Sequence, residues 1–424
     1  MNMRLKISFV LLVLLQLFPL WMKASSILIY MDEDQKNHLK AYGIAYWSIK
    51  NRQTEVDWLL NYRGGSFLVK YQKNIEDECK IRGVSYEILA DGKVITLLNQ
   101  ISDPAVNMEM VKLEKAPKIA VYSPKSKLPW DDAVTLVLSY AEIPYDVIYD
   151  EEILKDKLVG YDWLHLHHED FTGQYGRFWA NFRHTAWYQD DVKTQEATAK
   201  RNGFNKVSQL KLAVAKRIKE FCVGGGFLFA MCSGTDSFDI ALAAEGLDIV
   251  ERMFDGDGVD SQAQQRLDFN KSLAFSNFTL DMNPYNYEFS DIDVTQNRNF
   301  NESNDFFTLF DFSAKWDLVP SMLTQNHEKV IKGFMGQTTA FRKKLVKPSI
   351  TVMGENKAGA EVRYLHGEIG KGQFTFYGGH DPEDYQHMVN DPPTDLNLHP
   401  NSPGYRLILN NVLFPAAKKK HQKT

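Results

Sequence analysis

Cys232 stands where the apolar run Phe227-Leu228-Phe229-Ala230-Met231 gives way to small residues and then to a new helical pattern, Phe238 to Ala244. A strand, a sharp turn bearing a nucleophile and a helix make up a nucleophile elbow. Such a turn lifts a thiol above the sheet edge, where the N–H groups and dipole of the following helix favour the thiolate. The alternative is a structural cysteine, since free Cys is among the most buried residue types. Gly226 before the run and Ser233-Gly234 after the thiol argue for the corner. A thiol also needs an imidazole to take its proton and an acid to orient that ring. His380, delivered by the strand-like Gly372–Tyr377 through Gly378-Gly379, supplies the imidazole, and Glu383 or Asp381 the acid. Backbone N–H groups at Gly226, Ser233 and Gly234 would hold an oxyanion.

A second group of chemistry-bearing residues runs from His165 to Asp170. On a strand His165 and His167 share one face with Trp163, while Leu164 and Leu166 take the other. His168, Glu169 and Asp170 then spill into a loop. Histidine and carboxylate together suit a metal ion. Adjacent His167 and His168 diverge on a strand, however, so only part of the cluster can ligate together. The other readings are a substrate-binding rim built from His167, His168 and Glu169, or hydrogen-bonded core histidines. Asp255 to Asp260 hints at calcium, but Val259 stands where an EF-hand needs an oxygen ligand.

These residues need a scaffold, and two stretches of matched length offer one. Ile27–Tyr30, the helical stripe Leu39, Tyr42, Tyr46, Ile49, and Val56–Leu60 read as strand, helix, strand. Ile119–Tyr122, the stripe Ala133 to Tyr140, and Val147–Tyr149 repeat that order. Two βαβ units imply either two doubly wound α/β domains or a small one before a large one. The smaller N-terminal α/β unit is placed at 26–110 and the larger domain at 118–416. Residues 177–201 read as a surface loop or lid. The stretch from about 250 to 347 loses periodicity and reads as an irregular insertion shaping the substrate site. Strands resume at Ser349–Val352, Glu361–Leu365 and Gly372–Tyr377, and Tyr405–Phe414 closes as an amphipathic helix.

With 424 residues, 44% hydrophobic and 12% aromatic, the chain is a folded protein large enough for two or three cores. A net charge of −5 gives no footprint for nucleic acid. Three cysteines exclude a disulfide framework, although Cys79 and Cys222 are free to pair. Arg4 and Lys6, the apolar run from Phe9 and the small pair Ala24-Ser25 read as a signal peptide over 1–25. The expectation is export to the periplasm or outside the cell, with no stable membrane span after cleavage. The tail 417–424 is basic and reads as solvated.

Gly224 to Leu228, the Cys232 corner, Gly370 to Glu383 and Pro403 to Arg406 together resemble the class I glutamine amidotransferase-like superfamily, and within it the ThuA-like branch. Asn37 to Gly43 and Asn61 to Gly65 are similar to exported bacterial proteins often labelled asparagine synthetase B. The resemblance implies a doubly wound, flavodoxin-like parallel sheet and roles for Cys232 and His380. Family members carry a glutamate two residues after the histidine, where Pro382 stands here, and ThuA-like proteins usually lack the cysteine. Three functions follow. The first is an exported amide hydrolase with Cys232 as nucleophile, His380 as base and Glu383 or Asp381 as orienter, needing no cofactor and no metal. The second is a carbohydrate-binding module of ThuA type that uses the histidine rim. The third is a metal-dependent hydrolase using the His165–Asp170 cluster. The partner expected in each is a small-molecule or carbohydrate substrate.

Overall fold

A computed structural model describes residues 24–125, 128–317 and 327–417. Most of the expected signal peptide and basic tail lie outside them, and Ala24 and Ser25 already belong to the first strand. No helix among the described residues is long and apolar enough to cross a membrane.

The N-terminal unit holds β1 (Ala24–Ile29), α1 (His38–Arg52), β2 (Val56–Leu60), β3 (Ser66–Lys70), β4 (Glu87–Ala90), α2 (Asp91–Ser102) and β5 (Glu109–Leu113). Asn37 starts α1 by accepting the Lys40 N–H on its side chain, and Gln53 ends it in the left-handed region. The strands order as β4-β1-β3-β2-β5 with every neighbour antiparallel. β3 therefore lies between β1 and β2, and the expected strand–helix–strand unit is split by a third strand.

The larger sheet contains β6 (Ile119–Tyr122), β7 (Asp146–Ile148), β8 (Trp163–Leu166), β9 (Phe227–Met231), β10 (Phe306–Leu309), β11 (Val330–Lys332), β12 (Phe341–Arg342), β13 (Thr351–Asn356), β14 (Glu361–Ile369) and β15 (Gly372–Tyr377). Its order is β11-β10-β13-β14-β15-β9-β8-β6-β7, with β12 pairing β14. Only β15, β9, β8, β6 and β7 are mutually parallel. Every pairing on the other side of β15 is antiparallel. The doubly wound, flavodoxin-like parallel sheet is thus corrected to a mixed ten-stranded sheet beside an antiparallel five-stranded one. The stretch expected as an insertion is part of this architecture, because it contributes β10, β11 and β12. The expected loop at 177–201 is instead largely helical, at Trp179–Phe182 and α4 (Ala186–Arg201; α3 is Ala133–Tyr140).

The parallel strands β6, β8, β9 and β15 are buried on both faces, while the edge strand β7 exposes Asp146 and Val147. Ile119, Val121, Trp163, Phe229 and Met231 face one core, shared with α1, Trp58 and Phe67 of the N-terminal unit and with α7 (Pro403–Leu413). Ala120, Tyr122, Leu164, Leu166, Leu228 and Ala230 face the other, packed by α5 (Val207–Gly224) and α6 (Ser233–Ala243). Arg406 of α7 ties the two units: it is fully buried and donates to the Met31 carbonyl at 2.9 Å, the Tyr42 hydroxyl at 2.9 Å and the Gly64 carbonyl.

Candidate functional site

Parallel pairing sets Leu166 opposite Ala230 and Tyr377 opposite Met231. The residues that follow β8, β9 and β15 therefore emerge at neighbouring strand tips. From β8 come His167 and His168, from β9 Cys232, and from β15 Gly378-Gly379-His380. Gly379 has φ +104° and the Phe334 ring lies 2.4 Å from where a Cβ would sit, so the backbone turns into His380 only with glycine there. The turn from β6 into α3 brings Asp131 and Asp132 to the same edge.

Cys232 has the backbone of an elbow, with φ 47° and ψ −139°, at the start of α6. Its sulfur is buried, however, and accepts the Gln337 N–H at 3.2 Å. Burial dominates and pushes the thiol up to about 11, although N–H groups of Thr338, Gln337 and Ser233 pull the other way. Among the described residues no hydrogen bond joins this sulfur to an imidazole. Cys79 and Cys222 are free and buried as well.

The acids expected to orient His380 are engaged elsewhere. Asp381 accepts the Tyr405 hydroxyl at 2.7 Å and the Glu383 N–H at 2.9 Å. Glu383 lies 3.2 Å from Nδ1 of His399. The Gly234 N–H donates to the His167 carbonyl at 2.7 Å, and the Ser233 N–H points at the thiol, so neither awaits an oxyanion. Gly226 lies at the opposite end of β9, where a Cβ would strike the Phe221 ring; it closes the turn out of α5 and takes no part in this site.

A dense set of imidazoles and carboxylates meets His380 instead. Its Nδ1 lies 3.0 Å from Nε2 of His167. The rings of His167 and His168 stack with centroids 3.9 Å apart, and each lies 4.7 Å from the His380 ring. Behind His167, Asp132 stands 3.3 Å from Nδ1 and also reaches Nε2 of His165 at 3.1 Å. Behind His168, Nε2 donates to the Asp131 carbonyl at 2.8 Å. Behind His380, the Asp131 carboxylate lies 3.7 Å from Nε2 and 2.9 Å from Nε2 of His387. Burial lowers His167 to about 4 and His168 well below the usual range, so both rings are neutral at pH 7. Burial also opposes charge on His387, but hydrogen bonds to Asp131 and Asp384 prevail and raise it to about 9. His387 is therefore a cation held between two carboxylates.

Asp131, Asp132 and His387 escape a reading of the sequence. Asp132 has the pattern of a helix N-cap and is one, its Oδ1 accepting from Val134 and Thr135 while Oδ2 serves the histidines. His387 lies in an aperiodic loop that carries no signal. A cleft of about 510 Å³ borders the cluster at His168 and is also lined by Trp130, Asp131, Asp132, Glu169 and Asp391 among others. Burial pushes Glu169 up to about 8, so a carboxylic acid faces this cleft near neutral pH. Trp130 leans on Phe178 and Trp187, with centroids 5.2 and 5.3 Å away, as an aromatic wall beside His168. The Asp170 carboxylate is consumed by Thr172, Gln174 and Gly176. The calcium-like Asp255 and Asp257 gather with Asp248 around the ammonium of Lys206, which already supplies the positive charge.

No protein-family model matches this chain, and no curated protein does either. Among solved structures it is similar to the cytoplasmic protein STM3548 from Salmonella typhimurium at 12% identity, over 71% of this chain and 100% of that one, with a TM-score of 0.35. It is also similar to the GH42 β-galactosidase Gan42B of G. stearothermophilus at 12% identity, over 63% of this chain and 28% of that one, with a TM-score of 0.26. A β-galactosidase from Bacillus circulans sp. alkalophilus aligns at 12% identity over 73% of this chain and 32% of its own, with a TM-score of 0.27. The chain thus spans less than a third of either galactosidase. Likenesses of this size carry no argument about activity.

Proposed function

We propose that the chain is a hydrolase of a small polar molecule, an amide or a carbohydrate-derived compound, and that it works from the imidazole–carboxylate cluster rather than from the thiol. The observation that carries this reading is the convergence of His167, His168 and His380, of which His168 lines a cleft together with Asp131 and Glu169. The convergent ring nitrogens hold and polarise an attacking water. The His380 ring takes its proton, and Asp131, kept ionised by His380 and His387 against the effect of burial, stabilises the imidazolium that forms. Glu169, protonated near neutral pH, returns one to the leaving group. The ThuA-like resemblance, which covers the His380 region without the thiol, supports the same division of labour. Trp130 and its aromatic neighbours give a face on which a sugar ring can stack.

The test is a panel of chromogenic p-nitroanilides, p-nitrophenyl esters and p-nitrophenyl glycosides. His380→Ala and Asp131→Asn should each cost at least ~10²-fold in turnover, whereas Cys232→Ser should keep most of it. One observation favours the thiol instead, namely the strained backbone at Cys232. If Cys232→Ser is dead and His380→Ala active, the thiol reading takes over. We also propose export, on the pattern of residues 1–25; recovery of the mature chain in the cytoplasmic fraction alone would refute it.

A further inference from the structure

We propose that His167, His168 and His380 form a transition-metal site, suited best to zinc, beside the cleft that His168 lines. The role of the ion rests on the hydrolase reading above; its binding does not. Each ring meets a polar group on its outer side. Nδ1 of His167 faces the Asp132 carboxylate at 3.3 Å, Nε2 of His380 faces that of Asp131 at 3.7 Å, and Nε2 of His168 donates to the Asp131 carbonyl at 2.8 Å. Nε2 of His168 therefore carries that ring's proton, and in a neutral imidazole Nδ1 is then the acceptor. The three rings also turn nitrogens toward one another. Two of them stand only 3.0 Å apart, and one nitrogen from each ring comes within 4.8 Å of the others. An ion bound there takes the place of the proton that joins Nε2 of His167 and Nδ1 of His380.

The dimensions suit such an ion. Tetrahedral zinc with Zn–N bonds of about 2.0–2.1 Å places its ligand nitrogens about 3.3 Å apart. An outer carboxylate or carbonyl on every ligating histidine is the usual second layer of such sites, because it fixes the tautomer and raises ligand basicity. Three imidazoles with no carboxylate among them favour zinc, cobalt or copper over magnesium or calcium. The other groupings fit less well. His387 is paired with Asp131 and Asp384, Asp132 already serves the α3 N-terminus through Oδ1 and His165 and His167 through Oδ2, and Lys206 fills the Asp248–Asp255–Asp257 group. Of the stretch His165–Asp170, only His167 and His168 enter the site, and the third ligand comes from the far strand β15.

The experiment uses the purified chain, stripped with dipicolinate and titrated with Co²⁺ and then Zn²⁺. The expected result is one equivalent of Co²⁺ with the strong visible absorption of a tetrahedral ion, displaced by Zn²⁺. X-ray absorption of the zinc form should count three imidazoles. His168→Ala and His380→Ala should each weaken binding by roughly 100-fold or more, while His399→Ala, outside the cluster, binds like the parent. A parent protein that takes up less than a tenth of an equivalent, or a zinc shell without imidazoles, overturns the proposal; neither measurement depends on a variant folding. Binding with no hydrolysis of any chromogenic substrate removes the hydrolase reading alone. Full hydrolysis by the stripped protein removes the metal's role alone.

Discussion

Replacing Asp236 with asparagine should flatten the pH dependence of this protein's stability. Asp236 is fully buried in the first turn of α6, where Oδ1 accepts the Thr338 hydroxyl at 2.8 Å and the Ser237 N–H at 3.0 Å, while Oδ2 has no partner. Burial is the largest influence and raises the carboxyl from 3.8 to about 7. The folded chain therefore keeps a proton that the unfolded chain releases between those values. A raised carboxyl contributes its full stability below about pH 4 and loses it as pH rises toward 7, after which the curve is level. A shift of about three units corresponds to a ceiling of about 4 kcal/mol, which relaxation around the charge reduces. Asparagine cannot ionise, so the stability difference between variant and parent should move in the variant's favour by about 1–3 kcal/mol from pH 4.5 to pH 8. Its NH2 group, placed where Oδ2 lacks a partner, adds a cost that does not vary with pH, so the readout is the change with pH and not the offset. Urea unfolding from pH 4.5 to 8.5 measures it. A difference that stays constant across that range refutes the reasoning. The test bears on the site because Thr338 follows Gln337, whose N–H holds the Cys232 sulfur.

Lys211 and Asp150 are buried together, with Tyr122 and Tyr149 also bonded to the ammonium. Lys211→Met leaves a carboxylate buried without its cation and should cost about 3–5 kcal/mol in denaturant melts. Adding Asp150→Asn should recover most of it, and a single-variant loss below about 1 kcal/mol would count against the pair. At Gly234 a Cβ would sit 2.9 Å from the His167 carbonyl oxygen and 3.1 Å from Leu166 Cβ, so Gly234→Ala should push α6 off the tip of β8. The expected loss is about 1–3 kcal/mol together with weaker Co²⁺ binding, whereas Gly92→Ala, with open space around it, should be neutral. Arg406→Met strips the buried Met31 carbonyl and the part-buried Gly64 carbonyl of their donor and should cost about 3 kcal/mol. Limited trypsin digestion should then release the N-terminal unit early, and an unchanged digestion pattern would refute the tie.

Local chemistry is legible along the chain wherever a residue answers to its near neighbours. The apolar runs at Ile119–Tyr122 and Phe227–Met231 are strands because their side chains are buried on both faces, and period two puts Trp163 on one side and Leu164 and Leu166 on the other. The small residues around Cys232 mark a corner, which its positive φ makes. Which strand lies beside which is a different matter, since hydrogen bonds across a sheet leave no period in the sequence. β3 lies between β1 and β2, and the strands beyond β15 reverse direction, so the parallel sheet expected from local patterns becomes a mixed one. The same limit governs the site. Glu383 and Asp381 stand next to His380 in sequence, but their side chains turn to His399 and Tyr405. The acids that reach His167 and His380 arrive from the turn before α3, and the nearest ring from the tip of β8, because parallel strands bring their ends together whatever the distance along the chain. Residue types and strand faces are thus set by the sequence alone. The partnership of imidazole and acid exists only once the strands are side by side.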